Sequence, residues 1–125
     1  KLPSAYVIAW MDAQIIETLY LSSVSVAEIR FGIAIMPAGA RRDQLYQRFE
    51  SSVMPLFWGR VLSFDLMATQ AYADLMYKTR TQGYTMGLSD GYIAAIAQAN
   101  KMIIATRDEI PFKAAGLTLI NPWKM

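Results

Sequence analysis

Four short apolar runs, at residues 18–22, 60–64, 102–106 and 117–120, recur along this chain between longer stretches with helical spacing. Runs of four or five residues suit a buried strand and are too short for a packed helix. Helical connections rather than tight turns between them call for parallel pairing, which needs a crossover. The expected fold is α/β: a short, mainly parallel central sheet with helices on both faces, three layers in all. In such sheets ligands collect at the carboxyl ends of the strands.

The connecting stretches read as helices with recognisable ends. Pro3 suits a helix first turn, and Tyr6, Val7, Ile8, Trp10 and Met11 give a short amphipathic helix ending near Gln14. Ser23 or Ser25 is expected to cap the nearly all-apolar SVSVAEIRFGIAIM, which Pro37 and Gly39 stop. Residues 41–54 form a polar helix with Leu45, Phe49 and Val53 as its buried stripe, closed by Pro55. Asp65 is expected to cap a long helix through Ala68, Tyr72, Leu75 and Met76, which ends before Gly83. Ser89 or Asp90 then opens DGYIAAIAQAN, with Asn100 as its stop.

A chain of 125 residues without repeats, low-complexity tracts or a long linker is expected to be a single domain over residues 1–125. Hydrophobic content of 54% against 18% charged residues gives it a core to bury. No apolar run approaches the ~20 residues of a membrane span, and KLPSAYVIAW lacks the layout of a secretion signal. The expectation is a soluble, cytoplasmic protein with no membrane partner. The net charge of +2 is weak evidence for a polyanionic partner. Small cationic groups at Arg41-Arg42 and around Lys78–Arg80 read as solvated helix faces.

The chain has no cysteine and no histidine. That excludes disulfides, zinc sites built from thiolate or imidazole, cysteine nucleophiles and every triad with an imidazole base. A hydrolase made from this set has carboxylates, hydroxyls, Lys, Arg and Tyr. Carboxylates acting through Mg²⁺ or Mn²⁺ are the economical solution.

Of the ten acidic residues, Asp12, Glu17, Asp43, Glu50, Asp74 and Glu109 fall on faces or turns that read as solvated, and Asp65 reads as a cap. Glu28 is different. Its neighbours at helical spacing are Val24, Ser25, Phe31 and Gly32, an apolar and small face on which a lone charge would be costly. Arg30 lies about 200° around the helix and cannot easily pair with it. Asp90 either caps its helix or uses the same helix end to stay ionised for a cation. Asp108 follows the third strand in Ala-Thr-Arg-Asp, as a turn residue or as a ligand; Thr106 and Arg107 add a hydroxyl and a cation suited to a phosphate. Like charges ~4 Å apart repel by about 4 kcal/mol at an effective dielectric of ~20, so clustered carboxylates require a cation. An all-oxygen site of that kind suits Mg²⁺ or Mn²⁺, and such a metal activates water against a phosphodiester.

The segments SVSVAEIRFGIAIMPAG, RVLSFDLMATQAYADL, LSDGYIAAIAQANKMIIATRDEIPF and AAGLTLINPW resemble, in order and spacing, the PIN-domain toxins of the VapC and FitB-like branch of bacterial type II toxin–antitoxin systems. The resemblance covers nearly the whole chain, with AEIRFGI and the DGYIAAIA…ATRD pair its specific parts. It implies an endoribonuclease that cleaves RNA with Mg²⁺ or Mn²⁺. It also implies a homodimer held by a small antitoxin, the complex often sitting on operator DNA. The family's second acid falls on Glu28, its third on Asp90 and its fourth, Asn or Asp in the family, on Asp108. Arg107 is expected to help position RNA. The family's first acid ends an N-terminal strand, and nothing here matches it; Lys1 corresponds to a point just past that strand, so an upstream segment is expected to supply it. Two alternatives stay open: an inactive PIN module that docks an antitoxin and tunes operator binding, and a DNA-directed nuclease of the same fold. The eight Met residues, with Phe57, Trp58 and Tyr77, suit either a partner surface or ordinary core packing.

Overall fold

A computed structural model describes residues 9–10 and 13–124, so most of the helix expected over 3–14 lies outside the described residues. The fold is α/β and the chain divides into two compact units, residues 16–63 forming one and residues 64–125, with 1–15, the other. The elements are β1 (Leu21–Ser22), α1 (Ser23–Ala34), α2 (Ala40–Arg48), β2 (Val61–Leu62), α3 (Leu66–Thr81), α4 (Leu88–Ala99), β3 (Ile104–Ala105), α5 (Ile110–Ala114) and β4 (Leu119–Ile120). Among the described residues no helix is long and apolar enough to cross a membrane.

In the unit of residues 16–63, β1 and β2 pair in parallel, Leu21 against Val61 and Ser22 against Leu62. The pairing is extended by Leu21 N donating to Arg60 O at 3.1 Å. Arg60 also reaches back, its Nε donating to Leu19 O at 3.0 Å and its Nη2 to Leu56 O. The cap of α1 is Ser22, one residue earlier than expected: it is extended (φ −89°, ψ 148°) and its Oγ accepts from Ser25 N at 2.9 Å. Beyond α2 the chain widens into a π turn over Phe49–Val53 and a 3-10 turn over Met54–Phe57. Phe49, Met54 and Val26 form the core of this unit, with Leu21, Ile33, Val53 and Val61 packed against them.

In the second unit Asp65 caps α3 as expected, Oδ1 accepting from Ala68 N at 3.0 Å. The buried positions of α3, Ala68, Ala71, Leu75 and Thr79, fall at three- and four-residue spacing and make one stripe. That stripe meets α4, whose buried residues are Gly91, Ala94, Ala95, Ile96 and Ala97. All but Ile96 are small, and at Gly91 the two helices come close enough that a Cβ would stand 3.1 Å from Met76 and Tyr72. Strands β3 and β4 pair in parallel, Ile104 against Leu119 and Ala105 against Ile120, with α5 burying Phe112 in the crossover.

Helices α3, α4 and α5 end in the same way. The amide two residues past the cap bonds back across six residues: Tyr84 N to Thr79 O (2.9 Å), Met102 N to Ala97 O (2.9 Å), Leu117 N to Phe112 O (3.1 Å). The residue before each of these has positive φ: Gly83 (80°), Lys101 (55°) and Gly116 (79°). The strands themselves are shorter than the apolar runs that announce them, two paired residues each, in two separate two-stranded sheets.

Candidate functional site

Glu28 stands on α1 six residues past its cap, and its side chain is exposed. The sequence placed it on a buried apolar face; the structure corrects that. Although α1 is apolar nearly all round, only Val26 on it is buried, while Ile29, Phe31 and the following Ile35 are 41%, 65% and 66% exposed. An apolar pattern records what a helix could bury, and not which face finds a neighbour within one chain. Arg30 does bypass Glu28, as its helix position requires. Its Nε and Nη2 donate to the two oxygens of Glu50, each at 2.9 Å. That bidentate bond lowers the Glu50 carboxyl below its ordinary range and raises the Arg30 guanidinium. Glu50 is therefore a paired residue, where the sequence suggested a solvated one.

Asp90 is the third residue of α4, whose cap is Gly87; neither Ser89 nor Asp90 occupies the cap position. It is partly buried and still within the first turn, where unpaired backbone N–H groups and the helix dipole favour a negative charge. Asp108 lies three residues past the end of β3 and is exposed. The short connection 100–103 leads from the end of α4 into β3.

The loop after β3 is held from several directions. Thr106 Oγ1 accepts from Asp108 N at 3.1 Å and donates to Asp108 O at 3.4 Å, so this hydroxyl shapes the turn. Asn121 Nδ2 donates to Arg107 O at 3.3 Å and to Glu109 Oε2 at 2.8 Å. Glu109 also takes Lys124 Nζ at 2.8 Å and Lys113 Nζ at 3.0 Å. Its carboxyl is held down to about 2, by the bond to Lys124 first and then by those to Asn121 and Lys113. Glu109 is thus no solvated acid. With Asn121 it ties the segment carrying Asp108 to the tail after β4. The Glu109–Lys113 spacing of four on a helix was the available signal.

Among the described residues no group of three or more acidic side chains comes close enough together to hold a metal ion. Glu28 belongs to one unit, Asp90 and Asp108 to the other. The donor chemistry nevertheless fits a hard divalent cation: all three offer carboxylate oxygen. The carboxylates of Glu28 and Asp108 also have no ion-pair partner among the described residues.

Residues 2–117 match the model of the PIN domain. The chain is 57% identical over 122 residues to the VapC ribonuclease Y4jK of Sinorhizobium fredii, covering 98% of this chain and 87% of that protein. It is 41% identical over 121 residues to the toxin FitB of Neisseria gonorrhoeae, covering 97% of this chain and 87% of the toxin. A solved structure of FitAB bound to the IR36 DNA fragment superposes with a TM-score of 0.96 at 41% identity, over 100% of this chain and 87% of that one.

Proposed function

The chain belongs to the PIN domain family, in the branch of the VapC and FitB toxins, and on that premise we propose that it is a metal-dependent endoribonuclease, the toxin of a toxin–antitoxin pair. The observation that carries this reading is the 57% identity to a VapC ribonuclease across 98% of the chain. Glu28, Asp90 and Asp108 are the proposed ligands of Mg²⁺ or Mn²⁺. Bound there, the cation supplies a water activated for attack and stabilises the charge that develops on the scissile phosphodiester. Asp90 stands in the first turn of α4, where the helix dipole favours a negative charge. The Thr106 hydroxyl and the Asn121–Glu109 bonds hold Asp108 at the end of β3. Arg107, exposed at the same strand end, is the cation for an RNA phosphate.

The partners of this reading are RNA as substrate, an antitoxin protein, a second copy of the chain, and operator DNA reached through the antitoxin. The working compartment is the cytoplasm. Exposed Phe31 and Ile35, close together around the axis of α1, support a protein partner there, because exposed apolar surface of that kind is expected to be covered.

The test is cleavage of single-stranded RNA with Mg²⁺ or Mn²⁺, with a chelator, and with Asp90→Asn. Cleavage should need the metal and fall by at least a hundredfold in the variant. Unchanged cleavage by folded Asp90→Asn would sink the assignment. Calorimetric titration with Mn²⁺ separates this reading from an inactive module, which should bind the ion no better than Asp90→Asn does.

A further inference from the structure

A groove of about 710 Å³ runs beside the second half of α3 and the loop after it, lined by Tyr72, Met76, Tyr77, Arg80, Tyr84 and Met86 among others. Two of its rings stand in water: Tyr77 is 73% and Tyr84 52% exposed. Arg80 is exposed and has no ion-pair partner among the described residues. No Asp or Glu is among the described residues that line the groove. Asp74, a turn earlier on α3, is engaged by Gln70 Nε2 at 3.0 Å.

The platform is built rather than loose. Gly83 takes φ 80°, a conformation costly for any side chain, and Tyr84 N is fixed to Thr79 O at 2.9 Å. Tyr84 is thus presented by a closed helix end. Tyr72, at the other end of the groove, is stacked on Tyr92 with ring centroids 5.1 Å apart. The loop then leads through Thr85 and Met86 straight into the first turn of α4, which carries Asp90.

We propose that this groove binds single-stranded RNA, with bases stacked on Tyr84 and Tyr77 and the backbone held by Arg80, and leads the strand towards Asp90. The proposal rests on the ribonuclease reading for its substrate, and names the surface that holds it. Exposed aromatic rings beside an unpaired cation suit an unpaired strand, since every base offers a face to stack and every nucleotide a phosphate. A duplex keeps its bases stacked and gains nothing from the rings.

The experiment measures binding without cleavage. Full-length protein carrying Asp90→Asn is titrated, in EDTA, against a fluorescein-labelled single-stranded RNA of twelve mixed nucleotides, by anisotropy at several salt concentrations. Tyr84→Leu should weaken binding about tenfold and Tyr84→Phe should leave it near that of the parent, with thermal unfolding unchanged in both. Arg80→Gln should reduce the slope of log affinity against log salt by about 0.7, while Arg41→Gln, an equal change of charge in the other unit, should not.

The proposal falls if the parent does not bind the RNA, if Tyr84→Leu binds as the parent does, if Arg41→Gln lowers the slope equally, or if duplex RNA binds as tightly as the single strand. It also falls if Tyr84→Leu changes the sedimentation coefficient while RNA affinity stays constant, which makes the groove an interface between copies. Cleavage retained by Asp90→Asn would fail the metal-site reading and leave these binding results standing, so the two failures are distinct.

Discussion

Gly91 and Met76 set how closely α3 and α4 approach: a Cβ on Gly91 would stand 3.1 Å from Met76 Sδ, and equally 3.1 Å from Tyr72 Cε1. Replacing Gly91 by alanine brings two opposed effects. Alanine gains about 1 kcal/mol of helix propensity, while overpacking costs about 1–3 kcal/mol. Overpacking should win, because Tyr72 cannot swing away: it is stacked on Tyr92 and stands edge-on to Phe64, centroids 5.8 Å apart. Gly91→Ala is expected to lower stability by about 1 kcal/mol in urea unfolding. In a Met76→Ala background the further cost of Gly91→Ala should be smaller, since one of the two close contacts is then gone. A Gly91→Ala protein as stable as the parent would mean that the helices are free to separate.

Asp65 is expected to behave as a cap and nothing more. Its carboxylate accepts the Ala68 amide at 3.0 Å at the start of α3. Asp65→Ala should cost about 1 kcal/mol and Asp65→Ser much less, because a hydroxyl accepts the same bond. RNA cleavage per folded molecule should stay at the parent level in Asp65→Ser. A hundredfold loss of cleavage in that variant would move Asp65 into the reactive centre.

How much of this was legible in the sequence depended on whether the cause was local. The parallel strands fell inside the apolar runs, since β1 at Leu21–Ser22 lies within 18–22 and β3 at Ile104–Ala105 within 102–106. Their shortness was hidden, because an apolar run marks burial and not how many residues find a partner. The π turn at Phe49–Val53 had a faint signal: Leu45, Phe49 and Val53 recur every four residues, wider than the 3.6 of an α-helix. With serines at 22, 23 and 25, the cap of α1 was ambiguous until the extended backbone of Ser22 decided it. The start of α4 was read at Ser89 or Asp90, two or three positions past the real cap, because Gly87 supplies the cap without a side chain. The burial expected of Glu28 failed for a non-local reason, the exposure of a face that the pattern alone assigns to a core. The tie from Asn121 to Glu109 spans twelve residues and two elements, and only the fold brings them together.

Glu109 should make stability depend on pH in the acid range. Its folded carboxyl is held down to about 2, against about 4.3 for an unperturbed Glu. A depressed value means that the charged form is favoured by folding, so the contribution is fully present above about pH 4.3 and is lost as pH falls towards 2. Glu109→Gln keeps the side chain's size and removes the titration. Urea midpoints of the parent should fall more steeply between about pH 4.5 and 2.5 than those of the variant. Parallel curves would show that the bonds to Lys124, Asn121 and Lys113 do not favour the charge.

Lys101 closes α4 with φ 55°, the position that Gly83 and Gly116 hold after α3 and α5. The left-handed region costs a residue with a Cβ about 1–2 kcal/mol, and glycine gives back about 0.5–1 through the greater freedom of its unfolded chain. Lys101→Gly should therefore stabilise the protein by about 0.5 kcal/mol and raise the Tm by a few degrees. Gly83→Ala is the reverse experiment. Nothing stands within 4 Å of a Cβ there, so its expected loss of about 1 kcal/mol would be conformational alone. At Gly116 the Cβ would lie 2.6 Å from Lys78 Nζ, so Gly116→Ala carries the same backbone cost plus the displacement of a flexible ammonium. Stability should thus rise for Lys101→Gly, fall for Gly83→Ala and fall at least as far for Gly116→Ala. A stability order that put Gly83→Ala above the parent would show that backbone conformation does not govern these helix ends.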